Sequence, residues 1–336
     1  MRNSLLRRSV ALLAAAVLAG GLAACGDDDS GGDNNRRLRI AYLSFAVANS
    51  YDAPMLAAAR AVASANNADV EVFDAANDPA TQFSQFQNAI SSGRFDGILV
   101  QPIVGTALVP LVEQAVAAGI KVVNIDQILG PDYTTDQPQV DGLSGNVVFI
   151  PSKIGTQLGE LAVEACASVN ADPCNVAYIH DIKASTLGIA LNTAFNDAVG
   201  DSPIAVVAEG ESFFTPGIAL QAVQNILAAQ SDLDLIVGSD QGLQGATQAL
   251  TAASRTGVLL LGYGGSAAGF GYVKDGTSFA DVVQAPASEG QLGMEALVKA
   301  IRTGANSGAI NPVGSLPNDG VATKDNVDQF LAEWPG

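Results

Sequence analysis

Nine short aliphatic and β-branched runs recur along this chain, with helix-like segments between them. The runs are "LRIAYL", "VEVF", "GILV", "KVVNI", "NVAYI", "IAVVA", "LDLIVG", "VLLLGY" and "FADVVQ". Between several of them, apolar residues fall three and four apart, as in "APMLAAARAVASA", "PLVEQAVAAG", "GTQLGELAVEAC", "GIALQAVQNILAAQ" and "GQLGMEALVKAIRTG". Strands alternating with helices build βαβ units, whose parallel sheets are covered on both faces. The runs form two sets, roughly Leu38 to Phe149 and Ile150 to Gln284, with about five strands in each. The expected fold is therefore α/β, as two doubly wound parallel-sheet domains. Ligands of such sheets sit beyond the carboxyl ends of the strands. Two sheets with those ends opposed would enclose a cleft.

Composition narrows the function classes. The chain has 336 residues, is 48% hydrophobic and carries a formal net charge of −18. It has a core and an acidic surface, which argues against a nucleic-acid partner because phosphates would be repelled. One histidine and three cysteines give little support to a metal site. No metal and no cofactor are expected.

The N-terminus points to export. Arg2, Arg7 and Arg8 precede "ALLAAAVLAGGLAAC", a basic region followed by an apolar run too short to span a bilayer. Leu22-Ala23-Ala24-Cys25 resembles the lipobox of bacterial lipoproteins, which implies that residues 1–25 are a lipoprotein signal and that Cys25 is lipidated. The chain is then held on the outer side of the cell membrane by its anchor. Residues 26–37, "GDDDSGGDNNRR", hold no apolar group and read as a flexible tether. In an oxidising compartment Cys166 and Cys174 are expected to pair, stapling a helix end to the next strand; two separate thiols are the alternative.

Polar and aromatic groups recur just after the strands: "SFAVANSYDAP", "QP", "DQ", "HDIKASTLG", "EGESFFTPG", "SDQG" and "GGSAAG", with Gln284 ending "FADVVQ". Such a set suits a small polar ligand held by many hydrogen bonds. The span from about Arg37 to Gly304 resembles the ribose/galactose-type periplasmic binding proteins, the solute receptors of ABC sugar importers. The resemblance rests on "FDAANDPATQFSQFQNAISSGRFDGILVQPIVGTALVPLVEQAVAAGIKVVNID", "DLIVGSDQGLQGA" and "GYVKDG". It implies two lobes joined by a three-crossing hinge, with the ligand between them. The lobes would be residues 38–149 plus 286–313 and residues 150–285 plus 314–336, with crossings near residues 149–152, 284–286 and 313–317.

Carried over by position, the resemblance assigns ligand contacts to Asn49, Tyr51, Asp52, Asp126, Gln127, Phe214, Ser239, Asp240 and Gln284. It also exposes two departures. "STLGIALNTAF" has no charge where the family usually has an arginine, and Gly264 stands where an aspartate is usual. The site beside Tyr263 is thus expected to be roomier and less charged, and His180 is a candidate replacement contact. The implied function is delivery of a sugar or polyol to an ABC permease by a monomeric receptor. A receptor for an amine, nucleoside or signal molecule, and a glycoside-cleaving enzyme, are the alternatives. Gly262, Gly264 and Ala267 fit a dinucleotide fingerprint, but they follow a late strand rather than the first of a βαβ unit, so no dinucleotide enzyme is expected.

Overall fold

The computed structural model describes residues 36–336. The export signal, Cys25 and most of the tether lie outside the described residues. Two six-stranded sheets organise the chain. The first contains β1 (Leu38–Ser44), β2 (Ala68–Asp74), β3 (Gly97–Val100), β4 (Lys121–Asp126) and β5 (Gly145–Val148), in the order β5-β4-β3-β1-β2, all parallel. The second contains β6 (Cys174–His180), β7 (Ile204–Glu211), β8 (Leu235–Ser239), β9 (Leu259–Gly264) and β10 (Ser278–Val283), in the order β10-β9-β8-β6-β7, again parallel. Each sheet gains an edge strand from the C-terminal part of the chain. β11 (Ala309–Ile310) pairs with β5, and β12 (Val321–Thr323) runs antiparallel to β10.

The central strands of each sheet are buried on both faces, as their continuous apolar runs require. In β1, Leu38, Ile40 and Tyr42 pack under α1 (Asp52–Ala65). Ala41 and Leu43 face the opposite side, with Phe86 of α2 (Pro79–Ser91) and Leu108 and Val112 of α3 (Gly105–Ala117). In β6, Val176 and Tyr178 meet α4 (Pro151–Ser168) and α5 (Thr186–Val199), while Ala177 and Ile179 meet α6 (Pro216–Ala229) and α7 (Asp240–Ala252). The helix α8 (Ala267–Asp275) packs Phe270 and Val273 against Val327 and Phe330 of the C-terminal segment.

Connections between the sheets place the strand ends. After β5 the chain enters α4, which packs on the second sheet. After β10 it enters α9 (Pro286–Thr303), which returns Met294 and Leu297 to the core of the first. Gly290 makes that return close, since a Cβ there would fall 2.0 Å from the carbonyl oxygen of Met55. After β11 the chain crosses once more to reach β12.

Cys166 and Cys174 are bonded, joining the end of α4 to the start of β6. Each sheet has six strands rather than about five. β11 and β12 are two and three residues long, too short for an alternation to show. Arg36 and Arg37, read as the end of the tether, form ion pairs with Asp96 and Asp69.

Candidate functional site

The carboxyl ends of the two sheets face each other across a cleft with about 450 Å³ of empty space, open solvent included. Its floor on the first lobe is a carboxylate–amide network. Asp52 opens α1, and its Oδ2 accepts the Ala46 N–H at 3.1 Å. Gln101, just after β3, donates Nε2–H to Asp52 Oδ1 (2.6 Å) and Asp126 Oδ2 (2.9 Å), while its Oε1 accepts the Phe45 N–H (3.1 Å). Gln127 donates to the same Asp126 oxygen at 3.3 Å. Both side-chain hydrogen bonds to Asp126 fall on Oδ2; among the described residues none falls on Oδ1. Asp126 holds a left-handed φ of +67°, a conformation rare for a residue with a side chain and concentrated at functional sites.

The walls are aromatic and come from both lobes. Phe45 of the first meets Phe214 of the second edge-on at 6.1 Å. Asn49 accepts the Tyr51 N–H on its side-chain oxygen at 2.8 Å, and the same oxygen takes a bond from Gln241 of α7 at 3.4 Å, tying the lobes across the cleft. Tyr51 donates its hydroxyl to Glu289, buried at the start of α9, and stands edge-on to Trp334 at 5.3 Å. The Trp334 Nε1–H is satisfied by the Gly264 carbonyl at 2.8 Å. Phe149, Leu187 and Tyr263 complete the apolar side.

Tyr263 is held from behind. Asp181 accepts the Tyr263 hydroxyl and also those of Ser212 (2.5 Å) and Ser239 (2.6 Å). Ser239 in turn caps α7 through the Gly242 N–H at 3.2 Å. One buried carboxylate thus fixes an aromatic wall and a helix start.

Asn49, Tyr51, Asp52, Asp126, Gln127, Phe214, Ser239, Tyr263 and Gln284 line this cavity; His180 and Asp240 do not. His180 lies in a separate small recess behind Tyr263 and Leu187. Its Nε2 is 3.6 Å from Glu209, beyond hydrogen-bond reach, and burial lowers its pKa. Asp240 turns under β9 instead of into the cleft. Its Oδ2 accepts the Ser266 N–H at 2.7 Å, and it faces buried Asp281, burial pushing both carboxyls up.

Gly264 also differs from expectation. The space beside it is not open, because a Cβ there would lie 2.8 Å from the Trp334 ring and 2.9 Å from Asp240. The indole and a φ of +143° together require glycine. Gln101, Gln241, Phe45, Phe149, Leu187 and Trp334 were not named as contacts from the sequence. Gln101 and Gln241 stand in the same strand-end segments that supplied the others. Trp334 follows no strand, and its only signal is that it is the chain's single tryptophan.

Burial raises the Asp52 pKa to about 8 and that of Asp126 to about 6, with the Gln101 hydrogen bond opposing each shift. Both exceed the ordinary 3.8, so the folded state binds these protons more tightly than the unfolded chain. The stability they contribute is full below that ordinary value and is lost as pH rises through the folded values. The melting temperature of the ligand-free protein should therefore fall between about pH 5 and pH 8.5. Asp52→Asn should flatten the upper part of that fall. A melting temperature that climbs across the window contradicts the burial of these carboxyls.

Two α/β lobes meeting over one cavity at their strand ends is the architecture of a hinged solute receptor. The chain belongs to the periplasmic binding protein domain family, whose model matches residues 40–306. It is 26% identical over 230 residues to the ribose import binding protein of Bacillus subtilis, covering 68% of this chain and 70% of that one. It is 28% identical over 275 residues to a xylitol-binding protein of Mycolicibacterium smegmatis, covering 79% and 72%. Its fold matches an ABC transporter solute binding protein from Mycobacterium smegmatis with bound glycerol, at TM-score 0.72 and 23% identity, over 90% of this chain and all of the other.

Proposed function

We propose that this chain is the receptor of an ABC importer for a sugar or polyol. The observation that carries this reading is the hydrogen-bonding floor of Asp52, Gln101, Asp126 and Gln127 beneath aromatic walls. Carboxylate and amide oxygens accept from hydroxyls at fixed angles, while ring faces cover the C–H faces of a sugar or polyol. The relatives above, named for ribose and xylitol, support the same class.

Asn49, Tyr51, Asp52, Asp126, Gln127, Phe214, Ser239, Tyr263 and Gln284 are the proposed contacts. Residues 38–149 with 286–313, and 150–285 with 314–336, are the two lobes that close on the ligand. Closure is driven by the ligand's higher affinity for the closed form, and the permease reads that form. Cys25 is the proposed lipid anchor and residues 26–37 its tether. The receptor acts as a monomer.

A thermal-shift screen of pentoses, hexoses, polyols and nucleosides tests the class. At least one sugar or polyol should raise the melting temperature progressively with concentration, as mass action requires of a ligand that binds only the folded state. Shifts confined to nucleosides would contradict the reading.

A further inference from the structure

The charges of the cavity are one-sided. Asp52 and Asp126 are its carboxylic acids, and among the described residues no lysine, arginine or histidine lines it. Their bridge, Gln101, holds one oxygen of each within hydrogen-bond range of a single nitrogen, at 2.6 and 2.9 Å. Two carboxylates so close repel each other once water is expelled. Asp126 is 3% exposed, and among the described residues its Oδ1 accepts no hydrogen bond. A third acid, Glu289, is fully buried behind Tyr51. Around this acidic floor stand six aromatic side chains, including Tyr51, Phe214 and Trp334. Ring faces attract cations, and carboxylates within an aromatic enclosure suit an ammonium group. A neutral polyol would supply hydroxyls but no positive charge; a protonated amine supplies three N–H donors and also stabilises the ionised form of both acids, Asp52 included, whose carboxyl burial otherwise holds up at about 8.

We propose that the solute is an aminated polyol or amino sugar, with its ammonium group seated at Asp126 Oδ1 and Asp52 and its carbon skeleton against the aromatic walls. This rests on the polyol reading above and narrows it.

The test is calorimetry with matched pairs near neutral pH: ribitol against 1-amino-1-deoxyribitol, sorbitol against 1-amino-1-deoxysorbitol, glucose against glucosamine and galactose against galactosamine. In at least one pair the amine should bind at least about tenfold tighter, the scale of one charge-assisted hydrogen bond. Asp126→Asn keeps the side-chain shape and tolerates the left-handed backbone, and should bring that preference close to one. Asp52→Asn provides a second variant with the same expected direction should the first not fold. Hydroxyl members that bind as tightly as the amines, or more tightly, overturn this inference and leave the polyol receptor standing. Silence from both members of every pair overturns the two together. An amine preference that persists undiminished in the folded Asn variants overturns the placement of the ammonium at these carboxylates.

Discussion

Trp334→Ala should lower the unfolding free energy by about 3–5 kcal/mol, the cost of truncating a large buried aromatic. The indole is only 3% exposed. It packs where Gly264 leaves no side chain, and its ring stands edge-on to Tyr51 of the other lobe. Its removal also orphans the Gly264 carbonyl that Nε1–H satisfies. The surrounding segment is fixed as well: the Trp334 and Pro335 carbonyls accept the Ala267 and Ala268 N–H groups at the start of α8, and Glu333 accepts from Ser288 at the start of α9. The backbone therefore has little room to collapse into the void. Urea unfolding followed by circular dichroism measures the effect without relying on the lost fluorophore. A loss below about 0.5 kcal/mol, the range of ordinary surface substitutions, would contradict the packing role described.

Asp126→Ala should weaken ligand binding by about 1.5–3 kcal/mol, the scale of a hydrogen bond to a charged group. That corresponds to roughly a ten- to hundredfold rise in Kd. The side chain ends β4 at the centre of the floor with one oxygen uncommitted. Truncation also leaves the Gln101 and Gln127 amides competing for fewer acceptors, which loosens the floor. Because alanine is disfavoured at a φ of +67°, the variant should lose some stability too. Its melting temperature must accompany the calorimetric Kd. An unchanged Kd in a folded variant would remove Asp126 from the contact set.

Much of the architecture was legible because burial on both faces writes itself as unbroken apolar sequence. β1, β6 and β8 each send successive side chains into opposite helical layers, so none of them alternates with polar residues. β11 and β12 were not legible; two or three residues carry no period, and they form because β5 and β10 offer an open edge.

The site followed a similar division. Strand ends can be read from order alone, and within them the family resemblance picked out Asn49, Asp126, Gln127 and Ser239. Which way a strand-end side chain turns is decided by tertiary neighbours. Asp240 turns under β9 toward Ser266 and Asp281, and His180 turns into its own recess. The missing side chain at Gly264 was visible, but its consequence was not. The space goes to an indole 70 residues further along the chain, and no local pattern announces that contact.

The single tryptophan of the chain stands in the cavity wall, so its fluorescence reports occupancy with no competing signal from a second indole. The most direct measurement is a fluorescence titration of the purified protein with the sugar, polyol or aminated polyol that most raises its melting temperature. The predicted result is a saturable change with 1:1 stoichiometry, shifted to higher concentration in Asp126→Ala and absent in Trp334→Phe while calorimetric binding persists there. A flat titration with a ligand that calorimetry shows to bind would place the solute elsewhere and contradict the cleft as the binding site.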